Sequence, residues 1–367
     1  MDNFVLRNAK QVSGKAIDIY VADGKIEAWT PAGERSNPHT AVYDCSGMFV
    51  SSGWIDMHVH AFSDFSPYGD EIDEIGVKLG VTTIVDAGSC GADRISILAA
   101  RGVQAATNLL AFLNISRIGL DRTDELSNLN WIDRAQVMES VQQYPEFIVG
   151  LKARISNSVV RTSGIEPLHI ARELSQASGK PLMVHIGSGP PDIKHIVPLL
   201  EKKDIITHYL NGKKNNLFDE QGRPIPQLTE AIARGVHLDV GHGRASFSFK
   251  IAEAAKRHNI RFNTISTDIY RDNRLNGPVY SMANLLTKFL YLGYPLEEII
   301  AAVTTRAADW LGRPELGRIQ VGDAANLTLF SVADEAYMLI DSEGEQREAD
   351  RLIKVRGAVV NGNFFEC

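Results

Sequence analysis

Eight apolar runs of strand length alternate with longer helix-like segments between residues 53 and 270, and this alternation constrains the fold more than any other feature. Near-continuous apolar strands separated by amphipathic helices predict a parallel sheet that is covered on both faces. Eight strand–helix units in roughly 250 residues match the size of a closed (β/α)8 TIM barrel. The predicted strands are residues 54–60, 82–88, 109–116, 147–155, 181–187, 205–210, 236–243 and 262–269.

The two ends of the chain are similar to each other and differ from the middle. Short β-forming stretches with glycine and asparagine breaks fill the first 50 residues, and similar stretches return in ANLTLFSV and LIKVRGAVVNGNFF. The sequence therefore predicts an α/β protein with two domains. Residues 1–52 and 316–367 form a small β-sandwich domain assembled from both termini, and residues 53–315 form the barrel.

Composition and charge argue against several classes of protein. The chain has 38 Lys and Arg against 45 Asp and Glu, a formal net charge of −7, which argues against a nucleic-acid partner. The three cysteines lack the CxxC spacing of a thiolate zinc site. No apolar stretch reaches the ~18 residues that a membrane span needs. We expect a cytoplasmic enzyme that acts on a small molecule and has no membrane partner. The sequence does not decide whether the protein forms a homo-oligomer.

Two histidines, His58 and His60, end the first predicted strand in the motif HVH. Alternate residues of a strand share a face, so both imidazoles point into the barrel mouth, where such barrels place their chemistry. The motif alone is weak, because paired histidines on a strand are often only packed. Later strands end in His185 (the fifth), His208 (the sixth) and Asp268 (the eighth). Four imidazoles and a carboxylate around one rim predict a site for Zn²⁺ or a similar divalent ion.

Lys152 lies on the fourth predicted strand, between the two pairs of histidines. A lysine in an apolar strand is unfavourable unless it is paired, so an ion-paired or snorkelling lysine is one interpretation. An ammonium has no lone pair for a metal, but burial favours the neutral amine, which can react with CO₂. We hypothesise that Lys152 is carboxylated (N6-carboxylysine) and that its carbamate bridges two metal ions.

These residues together resemble the pattern of the amidohydrolase superfamily: HxH on the first strand, lysine on the fourth, histidine on the fifth and sixth, and aspartate on the eighth. GWIDMHVH and the tail VTTRAADWLG, followed by LGRIQVGDAANLTLF, are also similar to that family, so the resemblance spans nearly the whole chain. It implies a hydrolase with two divalent ions, with zinc as the expected metal. By resemblance, His58, His60 and Asp268 bind the more buried ion, His185 and His208 bind the other, and carboxylated Lys152 bridges them.

A mechanism follows from two bridged ions. A hydroxide held between the metals attacks the substrate carbonyl, and the exposed ion polarises that carbonyl as a Lewis acid. Asp268 takes the proton of the hydroxide and delivers it to the leaving group. The expected reaction is hydrolysis of an amide, an ester or a related carbonyl bond.

Arg154 is the strongest candidate beyond the ligands. It lies two positions after Lys152, so it faces the same rim. Its guanidinium would stabilise the oxyanion or hold a substrate carboxylate, unless it only pairs with a loop carboxylate. The sequence KARIS resembles a deacetylase branch of the superfamily, whose members are similar to dihydroorotases in sequence but act on acetylated small acids. In that branch the equivalent arginine is expected to stabilise the transition state.

The resemblance therefore implies removal of an acetyl (acyl) group from a small amino or hydroxy acid. One alternative is hydrolysis of a cyclic amide, of the dihydroorotase or hydantoinase type, and another is deamination. The least favoured alternative is a non-catalytic scaffold, because such proteins usually lack the ligands that are all present here.

Loops at the rim supply further candidates for substrate binding, because loops at this face shape pockets. Tyr209 and Asn211 follow the sixth strand, and His242 lies near the end of the seventh. His242 could equally support the ligands from outside the pocket. Lys213 could also contact substrate, although we expect it to be exposed to solvent, and we expect Cys90 to be buried rather than catalytic.

Overall fold

The structure is a computed structural model that describes residues 3–34 and 41–367. The strands are β1 (Phe4–Gln11), β2 (Ala16–Ala22), β3 (Lys25–Pro31), β4 (Ala41–Asp44), β5 (Phe49–Ser52), β6 (Trp54–Val59), β7 (Val81–Ala87), β8 (Asn108–Asn114), β9 (Ile148–Ile155), β10 (Leu182–Ile186), β11 (Ile205–Thr207), β12 (His237–Asp239), β13 (Leu327–Ile340), β14 (Gln346–Val360) and β15 (Asn363–Glu366). The α-helices are α1 (Ile72–Ile75), α2 (Ile95–Gln104), α3 (Arg134–Gln143), α4 (Asn157–Val160), α5 (Glu166–Ser178), α6 (Ile193–Ile196), α7 (Pro226–Arg234), α8 (Phe249–Arg257), α9 (Arg271–Leu275), α10 (Met282–Tyr291), α11 (Leu296–Ala302) and α12 (Thr305–Leu311). None of the helices in the described part of the chain has both the length and the apolar character that crossing a bilayer requires.

Strands β6 to β12 form one parallel sheet in chain order, and helices on its outer face separate most of them. Every residue of β7 is buried, as expected for a strand that is covered on both faces. The predicted (β/α)8 barrel is therefore confirmed as an architecture. The sixth and seventh strands are shorter than predicted, so the residues that follow them lie in turns rather than in the sheet.

The predicted eighth strand, residues 262–269, is not a regular strand. It closes the barrel through isolated bridges, pairing with β12 at Thr264 and with β6 at Ile269. The hydroxyls of Thr264 and Ser266 donate hydrogen bonds to the carboxylate of Asp239 in β12, at 2.7 and 2.6 Å. Asp268 has a left-handed backbone (φ 52°), which interrupts the extended conformation. The apolar pattern located this segment correctly, but it could not predict the turn within it.

Apolar side chains fill the barrel beneath the mouth. Met57, Phe112 and Met183 belong to one buried cluster, and Trp310 of α12 packs against it. Burying each large apolar side chain contributes about 1.5–3 kcal/mol, so this cluster gives the polar mouth a rigid floor. The register of β6 against β7 shifts between Asp56 and Val59. Because of this irregularity, Met57 packs into the apolar cluster while His58, the next residue, faces the barrel mouth.

A second, mostly antiparallel sheet is built from both ends of the chain. Its order is β15-β14-β13-β5-β1-β2-β3, and β4 pairs with β1. The predicted β unit assembled from both termini is therefore confirmed. The far end of the β13–β14 hairpin leaves this sheet and contacts the barrel: the Phe249 amide donates to Asp341, and the Ser342 hydroxyl donates to the Gly243 carbonyl at 3.1 Å. These hydrogen bonds connect the hairpin to the loop that follows β12 and hold that loop in place.

Candidate active site

Three side chains from opposite ends of the barrel segment meet at the mouth. The Oδ1 atom of Asp268 lies 3.1 Å from Nε2 of His60 and 3.4 Å from Nε2 of His58. Ligand atoms of the three residues all lie within 4.8 Å of one another, so together they could hold a metal ion. The backbone amide of Asp268 donates to the His58 carbonyl at 2.6 Å, which fixes the aspartate beside the strand that carries both histidines.

Hydrogen bonds fix the tautomer of His58. The hydroxyl of Thr207 donates to Oδ2 of Asp239 at 2.8 Å, which uses its only hydrogen. The hydroxyl oxygen of Thr207 also lies 2.9 Å from Nδ1 of His58, so this oxygen accepts a hydrogen bond from that nitrogen. The lone pair of His58 therefore lies on Nε2, the atom that faces Asp268. An oxygen acceptor on the far nitrogen is the usual support of a histidine that binds metal.

His208 carries a buried nitrogen that lacks a partner. Its Nδ1 donates to the Gly241 carbonyl at 2.5 Å, while its Nε2 has no hydrogen-bond partner among residues 3–34 and 41–367. Burial lowers the pKa of His208 to about 3, so the ring is neutral. Its ring centre lies 4.4 Å from that of His185 and 5.1 Å from that of His58. A buried acceptor without a partner is unfavourable by roughly 1–3 kcal/mol, and a cation at this point would remove that penalty.

Lys152 is fully buried beneath this cluster. Its Nζ lies 3.1 Å from Nε2 of His58 and 3.2 Å from the Met183 sulfur. The His58 nitrogen is a good acceptor, but a thioether is a weak one, so in the described chain these two neighbours do not match the three hydrogens of an ammonium. Burial lowers the pKa of Lys152 to about 7, which makes the neutral amine accessible near neutral pH.

A second buried lysine, Lys288, has a different environment. Its Nζ donates to the carbonyls of Pro278 (2.8 Å) and Ile340 (2.7 Å) and lies 2.8 Å from Nε2 of His242. Three acceptors match the three hydrogens of an ammonium. Nδ1 of His242 donates to the Gly243 carbonyl at 2.8 Å, so both ring nitrogens are occupied. His242 is therefore engaged in the scaffold and, although predicted as a substrate contact, has no free ring nitrogen for one.

His208 and Asp268 have left-handed backbones, with φ angles of 69° and 52°. Residues other than glycine rarely adopt this conformation, and such strain concentrates at functional sites. An asparagine holds each turn: Nδ2 of Asn211 donates to the His208 carbonyl at 2.8 Å, and Nδ2 of Asn273 donates to the Asp268 carbonyl at 2.8 Å. Asn211, predicted to contact substrate, therefore orients a candidate ligand.

The mouth encloses a cavity of about 140 Å³. Tyr209, Asn211 and His242 lie outside it, and Tyr209 packs in the core between barrel and helices. Lys213, expected to be exposed, is only partly exposed and lines the cavity. The lining residues are His58, His60, Tyr68, Leu120, Lys152, Arg154, Ser156, Ser158, His185, Ser188, Lys213, Arg244, Ala245, Ser246, Asp268 and Tyr270.

Arg154 lines the cavity and is held by groups that the sequence analysis missed. Its Nη1 donates to Oε2 of the fully buried Glu125 at 3.0 Å. Its guanidinium lies 5.5 Å from the ring centre of Tyr68, which makes an edge contact with Tyr270 at 5.1 Å. Arg154 therefore forms the ion pair with a loop carboxylate that was the alternative interpretation. It still lines the cavity. Glu125 follows no motif, and only the folded loop between β8 and α3 brings it here. Cys90 is buried, as expected.

A parallel barrel with a candidate metal cluster at its mouth is the architecture of a metal-dependent hydrolase. A family model described as the Amidohydrolase family matches residues 49–363. The chain belongs to the amidohydrolase family and is a hydrolytic enzyme. The family generally uses divalent metals, and the orphaned nitrogen of His208 together with the His58–His60–Asp268 cluster fits such ions.

Full-length relatives carry three different names: deacetylase, adenine deaminase and dihydroorotase. The chain is 39% identical to a "Deacetylase" from Enterococcus faecalis, over 99% of both chains, and 33% identical to "Deacetylase Atu3266" from Agrobacterium fabrum, over 96% of this chain and 87% of that one. It is also similar to a crystal structure described as that of an adenine deaminase, with 38% identity, a TM-score of 0.95 and coverage of 100% of both chains.

The support of His58 predicts the behaviour of one variant. Thr207→Val keeps the side-chain shape but removes the acceptor for His58 Nδ1. Losing such a partner weakens metal binding by about 10–100-fold, which a chelator competition titration with Zn²⁺ would measure. Thr287→Val, at a buried threonine of α10, is the matched control and should leave the affinity unchanged. Wild-type zinc affinity in folded Thr207→Val would rule out the role assigned to this hydroxyl.

Proposed function

We propose that the enzyme is a two-metal deacetylase that removes an acetyl or related acyl group from a small amino or hydroxy acid. One observation carries this proposal. Apart from the proposed metal ligands, the charged side chains lining the described cavity are all cationic: Arg154, Lys213 and Arg244. Positive charge at the site favours an anionic substrate over a neutral purine. The deacetylase names of full-length relatives support the same activity.

We propose two zinc ions as the cofactors, held by the six residues predicted from the sequence. His58, His60 and Asp268 would hold the more buried ion, and His185 and His208 would hold the other. The carbamate of Lys152, formed when the neutral amine adds to CO₂ and releases one proton, would supply a ligand to both. The Nζ atom of Lys152 has one good acceptor and one thioether beside it, whereas that of Lys288 has three good acceptors, and this difference supports the modification.

Bound divalent ions would supply an activated water and polarise the acyl carbonyl. Around them, each residue has a separate task. Asp268 accepts the proton of the attacking water and donates it to the leaving oxygen or nitrogen. Arg154 donates hydrogen bonds to the oxygen that becomes negative in the transition state, and Glu125 holds the guanidinium in place.

The division of the chain and its location also remain proposals. We propose a β domain of residues 1–52 and 316–367 and a catalytic barrel of residues 53–315. The separate sheet that both termini form supports this division. We also retain the proposal of a cytoplasmic enzyme.

A product screen of the metal-loaded enzyme tests the proposed activity. N-acetyl amino acids and O-acetyl hydroxy acids, as separate enantiomers, should release acetate. Ring opening of dihydroorotate or a hydantoin would favour a cyclic amide hydrolase, and ammonia from adenine would favour a deaminase.

Arg154→Met should lower kcat by about 10²–10³-fold on the best substrate, as expected for loss of an oxyanion donor. The control is Arg223→Met, because Arg223 is exposed and pairs with Asp219 and Gln221 of its own loop. Equal rates for wild type and Arg154→Met would exclude the arginine from the reaction.

A further inference from the structure

Lys213 differs from the other two cations that line the cavity. Arg154 pairs with Glu125 at 3.0 Å, and Arg244 pairs with Asp272 at the outer rim. The ammonium of Lys213 makes neither an ion pair nor a side-chain hydrogen bond with any residue that the structure describes. Among these three cations, Lys213 is therefore the one without a carboxylate at ion-pair distance in the described chain, and a partly buried charge without a direct partner is unfavourable.

The ammonium lies close to the candidate metal centre. Nζ of Lys213 and Nε2 of His185 lie 3.4 and 3.5 Å from the point that a Cβ atom on Gly187 would occupy, and the Cβ of Ser156 lies 3.0 Å from it. A side chain at residue 187 would crowd Ser156, so glycine lets the lysine and the candidate ligand both approach this short stretch of backbone. An anion bound by the ammonium would therefore lie beside the candidate metal ligands.

The loop after β11 fixes the position of Lys213. Its backbone amide donates to Oδ1 of Asn211 at 3.1 Å, and Nδ2 of Asn216 donates to its carbonyl at 2.6 Å. Asn211 also holds the turn at His208. The placement of the ammonium is therefore coupled to the placement of a candidate ligand. Lys213 also borders a larger cleft of about 790 Å³, so it lies where the cavity meets this cleft.

We propose that Lys213 binds the carboxylate of the substrate and so determines specificity. Because the ammonium and the candidate ligand His185 lie beside the same glycine, that carboxylate lies near the bond that is hydrolysed. The substrates are therefore α-acyloxy or α-acylamino acids rather than acids with a distant carboxylate. The hydroxyls of Ser156 and Ser188, which line the same cavity, can donate to the remaining carboxylate lone pairs. This inference rests on the proposed deacetylase function and names its substrate class.

Paired substrates separate this role from a structural one. Each α-acetoxy acid is compared with its primary amide, which has the same shape but no charge, using metal-loaded enzyme. Lys213→Met should lower kcat/KM for the acid about 100-fold, mainly through KM, because loss of one partner of a charged pair is strongly unfavourable. The amide should change less than about threefold. Lys214→Met, at the exposed neighbour, is the control and should change neither value.

Two results would overturn the role of Lys213: an equal loss on acid and amide, or no loss on either. If the wild type hydrolyses no acetylated acid, the proposed deacetylase function fails, and calorimetric binding of the α-hydroxy acid decides about Lys213 alone. Binding that disappears in Lys213→Met would retain the carboxylate site. Binding that is equal in both proteins, or absent from the wild type, would remove it.

Discussion

Asp268→Asn is expected to lower kcat by about 10³-fold while the protein still binds metal in part, since a general acid–base group contributes typically 10²–10⁴-fold. The amide has the same shape as the carboxylate and keeps one oxygen for the contacts with His58 and His60. It cannot take up a proton from water, so attack and departure of the leaving group both lose their proton carrier. Steady-state kinetics and metal analysis of the same sample would measure both effects.

The control for this substitution should change a carboxylate without approaching the cavity. Asp133→Asn is suitable, because Asp133 caps α3 and asparagine caps helices equally well. Its kcat should equal that of the wild type. Full turnover by Asp268→Asn would exclude proton transfer at this position. Complete loss of metal would instead assign the aspartate to ion binding alone, so the two measurements must be made together.

The strand ends were predictable because a parallel barrel obeys simple periodic rules. Alternate residues of a strand share a face, and this parity aimed Lys152 and Arg154 at one cavity, as the structure has them. His58 and His60 also share the cavity, but here a register shift in β6 contributes to the result. Spacing in the sequence carries no sign of that shift, since it depends on pairing with β7.

Residues in the loops were harder to predict, because their contacts are made with distant parts of the chain. Asn211 was a candidate for substrate binding, and His242 for substrate binding or for support of the ligands, from their position beside the rim. In the structure Asn211 bonds to a turn three residues earlier, and His242 bonds to Lys288, 46 residues away. Glu125 reaches the site through a long loop without regular periodicity. Polar residues near a rim are therefore weak predictors, since a left-handed turn or a buried cation also requires polar partners.

Lys152→Met is expected to bind at most one zinc ion per chain and to lower kcat/KM by about 10³-fold or more. Metal ions contribute several kcal/mol of transition-state stabilisation, and each 1.4 kcal/mol corresponds to a tenfold change in rate. Methionine fills the volume of the lysine beside Met183 but offers no carbamate oxygen. Metal content per chain and intact mass would be measured together, and the wild type should carry the added mass of one CO₂ at this lysine.

Lys288→Met is the matched control, because both lysines are fully buried and burial lowers the pKa of each to about 7. It should lower the free energy of unfolding by about 1–3 kcal/mol through the loss of its hydrogen bonds, yet still bind two ions. Stripping the wild type of metal and CO₂ and adding zinc back should restore activity only when bicarbonate is present. Equal recovery without bicarbonate, or two tightly bound ions in Lys152→Met, would show that the bridge does not depend on this lysine. The contrast follows from the number of good acceptors: three hold an ammonium at Lys288, whereas Lys152 has one histidine nitrogen and a weakly accepting thioether beside it, which favours a modified amine.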